Sequence, residues 1–122
     1  MSDPPAPATP PPPPELGRFV LCLDVADLSA SRDFYLRLGL QETGGDLEQG
    51  YCFLRRGDLE LHLFQGHIEG NVLNFRDADV FAAARGLEAR GLDLEVEAHI
   101  ESDGTHGAWL RDPDGNPIYL NT

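Results

Sequence analysis

The chain repeats itself. Asp27 matches Asp79, Leu28 matches Val80, Ala30 matches Ala82, Gly39 matches Gly91 and Leu40 matches Leu92, all at an offset of 52 residues (79 − 27). Each copy reads as a strand, a capped helix and three further strands. A unit this short cannot bury a stable core alone, so the two copies must associate. That requirement restricts the fold to paired modules sharing one interior.

The local signals place the elements. Phe19, Leu21, Leu23 and Val25 alternate with Val20, Cys22 and Asp24, the period-2 pattern of a strand with one face on a core. Asp27 then offers an N-cap, and Gly39 stands where a helix ends. The spacing predicts a helix from about Ser29 to Leu38, with Leu28, Tyr35 and Leu38 along one stripe. Further strands are expected near Leu40–Thr43, over Tyr51–Arg55 and from Leu59, with Leu61 and Leu63 opposed to Glu60, His62 and Phe64. The second copy predicts a strand at Val72–Arg76, a helix capped by Asp79, alternation from Leu92 to Ile100 and strands at Gly107–Arg111 and Pro117–Asn121. Asp112-Pro113-Asp114-Gly115 is a turn, because proline presets φ at its second position and glycine accepts a positive φ.

Composition limits what the fold can do. Eight of the 10 prolines fall within residues 4–14, which reads as a solvated, disordered tail over residues 1–15 ahead of a domain at 16–122, with modules at about 17–67 and 70–122. The formal net charge of −12 argues against a phosphate-binding surface and so against a nucleic-acid partner. No apolar run reaches membrane-spanning length, so no membrane partner is expected. Residues 1–15 lack the basic start and apolar run of a secretory signal, and a cytoplasmic location is expected. Cys22 and Cys52 make no disulfide framework and read as small core residues. Of the histidines, His67, His99 and His106 read as surface or loop residues.

Val25-Ala26-Asp27-Leu28, then Asp33-Phe34-Tyr35, Gly39-Leu40, Gly57-Asp58-Leu59-Glu60-Leu61 and Arg111-Asp112-Pro113-Asp114-Gly115-Asn116 resemble the recurring segments of the vicinal oxygen chelate superfamily. That group includes glyoxalases, bleomycin-resistance proteins, fosfomycin-resistance enzymes and extradiol dioxygenases. The resemblance covers about residues 17–122. It implies an α+β fold: two tandem βαβββ modules forming a curved mixed-sheet cup, helices on the convex face and ligands on the concave one. It also implies a homodimer, since small members often dimerise and the cup leaves strand edges to cover.

Metal-using members hold their ion at four cup positions. Carried onto this sequence, these fall on Val20, Glu60, Val72 and Tyr119. Valine has no lone pair and a neutral phenol is a poor donor, whereas a divalent site needs at least three protein donors. The resemblance therefore implies no metal and no cofactor here. The polar and aromatic residues expected along the cup are Asp24, Glu60, His62, Phe64, Asn74, Arg76, Trp109 and Tyr119. Aromatic walls with Asp24 and Glu60 as acceptors suit a planar or cationic organic molecule. The first reading is a metal-independent small-molecule binding protein that sequesters its ligand, as bleomycin-resistance proteins do. One alternative is a divergent glyoxalase-type lyase or isomerase, or a dioxygenase-like enzyme, with Glu60 and His62 as candidate catalytic residues. Another is a non-catalytic interaction domain.

Overall fold

A computed structural model describes residues 11–122. The first copy of the repeat comprises β1 (Arg18–Asp24), α1 (Leu28–Leu38), β2 (Gln41–Asp46), β3 (Tyr51–Arg56) and β4 (Leu59–Phe64). The second comprises β5 (Val72–Arg76), α2 (Val80–Ala89), β6 (Val96–Ile100), β7 (His106–Arg111) and β8 (Pro117–Asn121). The eight strands form one mixed sheet in the order β2-β3-β4-β1-β5-β8-β7-β6. Within each copy the first strand pairs in parallel with the last, β1 with β4 and β5 with β8. The copies join where β1 and β5 run antiparallel, Val20 opposite Asn74. The cup is thus completed within one chain, and the fold is the expected α+β architecture.

The helices start and stop for local reasons. Asp27 Oδ1 accepts the Ala30 N–H at 3.0 Å, and Asp79 Oδ1 accepts the Ala82 N–H at 3.0 Å. Each satisfies a backbone donor that a helix N-terminus leaves free. Gly39 ends α1 in the left-handed region at φ 108, its N–H donating to the Leu36 carbonyl at 3.1 Å.

Both helices cover the same face of the sheet. Leu28 of α1 packs with Leu54, Leu61 and Leu63, against Leu21 and Leu23. Val80, Ala83 and Leu87 of α2 pack with Ala108, Leu110 and Leu120, against Phe75. Phe19 and Phe75 meet across the β1–β5 seam with ring centroids 5.3 Å apart, and Phe75 packs against the α2 cluster. The alternation then sends Val20, Cys22 and Val72 to the uncovered face, where they form a third cluster with Phe64, Ile68, Trp109 and Tyr119.

Three features differ from the sequence reading. Alternation from Leu92 to Ile100 becomes a strand only at Val96, because Glu95 is held by its N–H to Trp109 O and the register shifts between Val96 and His99. The bulge turns Val96 toward the Trp109 side while Ala98 packs under α2. His106 is not a loop residue: it opens β7 and presents its ring edge-on to Phe81 at 5.1 Å. Of the proline-rich stretch, residues 1–10 lie outside the described residues. Residues 11–15 form no helix or strand but lie on α2, where Pro11 O accepts from Arg90 and Pro14 sits over Gly86.

Candidate functional site

One row of side chains crosses the uncovered face at mid-sheet. Val20 pairs with Asn74, Asn74 with Tyr119 and Tyr119 with Trp109. Glu60 precedes Leu61, the partner of Leu21, and so lies beside Val20. Glu60, Val20, Asn74 and Tyr119 therefore stand in one line. Val72 lies a row away, paired with Cys22, whose other neighbour is His62. Of the four positions carried over from the resemblance, three meet in the row, and Asn74 occupies the place expected for Val72.

The donor chemistry of that row does not fit a divalent ion. Val20 is fully buried and has no donor atom. Asn74 spends its amide on structure: Nδ2 donates to Tyr119 O at 3.0 Å and to Asn121 Oδ1 at 2.8 Å, and Oδ1 faces Cys22 Sγ at 4.0 Å. Glu60 is held by the Arg18 guanidinium and by Arg55 Nη1 at 3.8 Å, so two positive charges stand where a cation would approach. Burial, and then the nearby Glu101 carboxylate, push the Tyr119 phenol above its ordinary pKa and keep it neutral. Among the described residues no three His, Cys, Asp or Glu side chains gather as metal ligands.

The carboxylates expected to attract a cation are engaged. Besides the Glu60 pairs, Asp24 Oδ2 accepts the Gly70 N–H at 3.0 Å while the Asp24 N–H donates to Asn71 Oδ1 at 3.0 Å. Asp24 thus fastens the crossover connection to the end of β1. Arg76 is the opposite case. It makes no salt bridge among the described residues, and its Nε is shut away from solvent with no hydrogen-bond partner.

Aromatic rings wall the face on two sides. Trp109 lies flat on Tyr119, centroids 4.1 Å apart and planes 13° from parallel. Trp109 points this way because Ala108 and Leu110 go under α2. On the other side His62 stacks on Phe53 at 3.9 Å, and Phe64 and Tyr51 extend the patch. His62 is only 5% exposed, and its Nδ1 has no partner. Burial first, then the positive charge of Arg76, lower its pKa to about 4, so the ring is neutral at neutral pH.

Between the walls lies a cleft of about 210 Å³, lined by Cys22, Phe64, Val72, Arg76, Trp109 and Tyr119 among others. A shallower hollow of about 380 Å³ adjoins it, sharing Ile68, Val72 and Trp109 and opening toward Glu95 and Arg111. A still larger hollow of about 450 Å³ lies on the other side of the sheet, where residues 11–15 cross α2. The sheet thus brings Phe64, Asn74, Arg76, Trp109 and Tyr119 to one cleft, with His62 at its flank, and leaves Asp24 and Glu60 outside its lining. The ligand contacts expected from the sequence omit Cys22, Ile68, Val72 and Asn121, although Val72 is among the cup positions carried over from the resemblance. The parity of Asp24 and Asn74 already places Cys22 and Val72 on this face; only the crossover geometry brings in Ile68.

No family model matches the chain, and no curated protein does. Solved structures match its fold. A glyoxalase/bleomycin resistance protein/dioxygenase superfamily member from Vibrio splendidus 12B01 superposes with a TM-score of 0.67 at 16% identity, over 85% of this chain and 97% of that one. A protein from Legionella pneumophila described as an NAD-dependent benzaldehyde dehydrogenase superposes at 0.65 with 18% identity, over 84% and 96%. The Mn(II)-bound glyoxalase from Novosphingobium aromaticivorans superposes at 0.55 with 16% identity, over 84% of this chain and 36% of that one. At this level of identity the likeness speaks to architecture. This chain has the fold of the glyoxalase/bleomycin-resistance/dioxygenase superfamily.

Proposed function

We propose that the protein binds a small organic molecule in the cleft on the uncovered face of its sheet, without a metal ion and without performing chemistry on it. The observation that carries this reading is the mid-sheet row. Where metal-using relatives would present donors, it presents a valine, an amide already bonded, a carboxylate held by two arginines and a neutral phenol. What remains is a concave surface with aromatic walls and few polar groups, the usual make-up of an organic-ligand site. The catalytic alternative needs Glu60 as a ligand or base, and both of its carboxylate oxygens are already engaged, one by Arg18 and one by Arg55.

Metal analysis and thermal unfolding test the reading together. The purified chain is expected to carry no stoichiometric metal and to gain no melting temperature from zinc, nickel, manganese or iron salts. A panel of planar aromatic compounds is expected to raise it. Stoichiometric metal that disappears in Glu60→Ala would overturn the proposal.

We also read the protein as a homodimer, because β2 and β6 are open sheet edges and every residue of β2 is exposed. Light scattering at micromolar concentration is expected to give twice the chain mass; a monomer would reject it.

A further inference from the structure

We propose that the molecule bound in the cleft is an anion, a planar aromatic carboxylate whose charged end meets the Arg76 guanidinium. This rests on the cleft being a small-molecule site and adds the charge of its occupant. The charges around the cleft are largely paired with one another. Arg18 and Arg76 are cross-strand partners on β1 and β5. Arg18 binds Asp77 Oδ2 at 2.6 Å and also takes Glu60. Arg55 takes the other oxygen of Glu60. Glu101 accepts from His99 Nε2 at 3.0 Å and from the Tyr119 hydroxyl at 3.5 Å. Asp24 is tied to the Gly70 N–H. Each of these carboxylates is engaged, and Arg76, the one charged side chain lining the cleft, has no salt-bridge partner among the described residues.

A guanidinium is a planar fork of donors that cannot lose its proton, and carboxylate is the shape that fork fits. Arg76 lines the cleft and makes no salt bridge among the described residues, so an incoming carboxylate would give its guanidinium the partner that the fold does not supply. Among the described residues the other buried side-chain nitrogen without a partner, His62 Nδ1, belongs to a neutral ring that adds no competing charge. The apolar lining from Val72, Ile68 and Phe64, with Trp109 over Tyr119, gives an aromatic ring a surface to lie against. A cationic ligand would instead face Arg76 with no free carboxylate in the lining. The net charge of −12 repels anions at long range, but at physiological salt that field is screened beyond about 8 Å and the local contact decides.

The test is calorimetric titration of the full chain, with chelator present, using naphthoate, naphthamide and naphthylmethylammonium. These probes share a ring system and differ in charge. Naphthoate is expected to bind one per chain, at least about tenfold tighter than naphthamide, as a charge-assisted fork contact implies. Arg76→Gln is expected to erase that difference, and Arg85→Gln, an exposed arginine on α2, to leave it intact. The comparison among probes needs no variant, so it stands even if Arg76→Gln folds poorly. Equal affinity for acid and amide, or tightest binding of the ammonium probe, would overturn the anion assignment and leave the cleft a binding site. No binding of any of the three would overturn the small-molecule reading itself, and the anion assignment with it.

Discussion

Arg18 and Arg76 stand opposite each other across the β1–β5 seam, and Arg18 holds both Asp77 and Glu60 while Arg76 holds neither. The consequence reaches stability as well as binding. Arg18→Ala would free Glu60, whose side chain is 14% exposed, and leave it only the distant contact to Arg55. Removing one partner from such a pair is expected to cost about 1–3 kcal/mol in denaturant unfolding. Arg76→Ala removes no ion pair and is expected to be close to neutral by the same measurement.

His62 gives the fold an acid-sensitive point. Its pKa falls from an ordinary 6.5 to about 4 through burial and the charge of Arg76, with Arg18 adding to the shift and Glu60 opposing it. Above pH 6.5 the ring is neutral both folded and unfolded. Between 6.5 and 4 the unfolded chain takes up the proton and the folded chain does not, so stability falls as pH falls. The expected loss by pH 4 is about 3 kcal/mol relative to a His62→Gln variant, read from paired unfolding curves at neutral and acid pH. Parallel pH profiles for the two proteins would contradict it.

The two N-caps offer a control on the fold. Asp27→Ala and Asp79→Ala should each cost about 1 kcal/mol in chemical denaturation. Their effects should add, because the caps serve different helices in different halves of the sheet.

Gly86 tests the seat of the proline segment. A Cβ there would come within 2.7 Å of the Pro14 Cβ. In a chain lacking residues 1–15, Gly86→Ala is expected to raise stability by about 0.5–1 kcal/mol through helix propensity. In the full chain the contact with Pro14 should cancel most of that gain. Equal gains in both backgrounds would show that the segment does not rest on α2.

The thiols should be inert. Burial pushes Cys22 and Cys52 up to about 11. They also lie on opposite faces of the sheet, Cys22 in the uncovered cluster and Cys52 under α1, so they cannot join in a disulfide. Alkylation of the native chain at mildly alkaline pH should run roughly a hundredfold or more slower than in denaturant. Aromatic ligands should slow Cys22 further and leave Cys52 unchanged.

What could be read from the sequence was local. Asp27 and Gly39 mark a helix with both ends in one short window, and the alternation through β1 and β4 sorts Leu21 and Leu61 from Cys22 and His62 without knowledge of partners. The partnering itself was hidden. That Asn74, not Val72, stands beside Tyr119 depends on the register across β5 and β8. That Glu60 is neutralised depends on Arg18, 42 residues earlier in the chain. The bulge between Val96 and His99 leaves no mark in an alternating run. Sequence therefore separates the two faces of a regular strand, but does not show which charges on the uncovered face are already paired.

The most direct measurement is the emission of Trp109, the only tryptophan, which stacks on Tyr119 in the cleft wall. Titration with a planar aromatic compound in the presence of EDTA should give a saturable change with one molecule per chain. A signal abolished by EDTA and restored by a divalent metal, or no saturable change with any such compound in a folded sample, would contradict metal-free binding in this cleft.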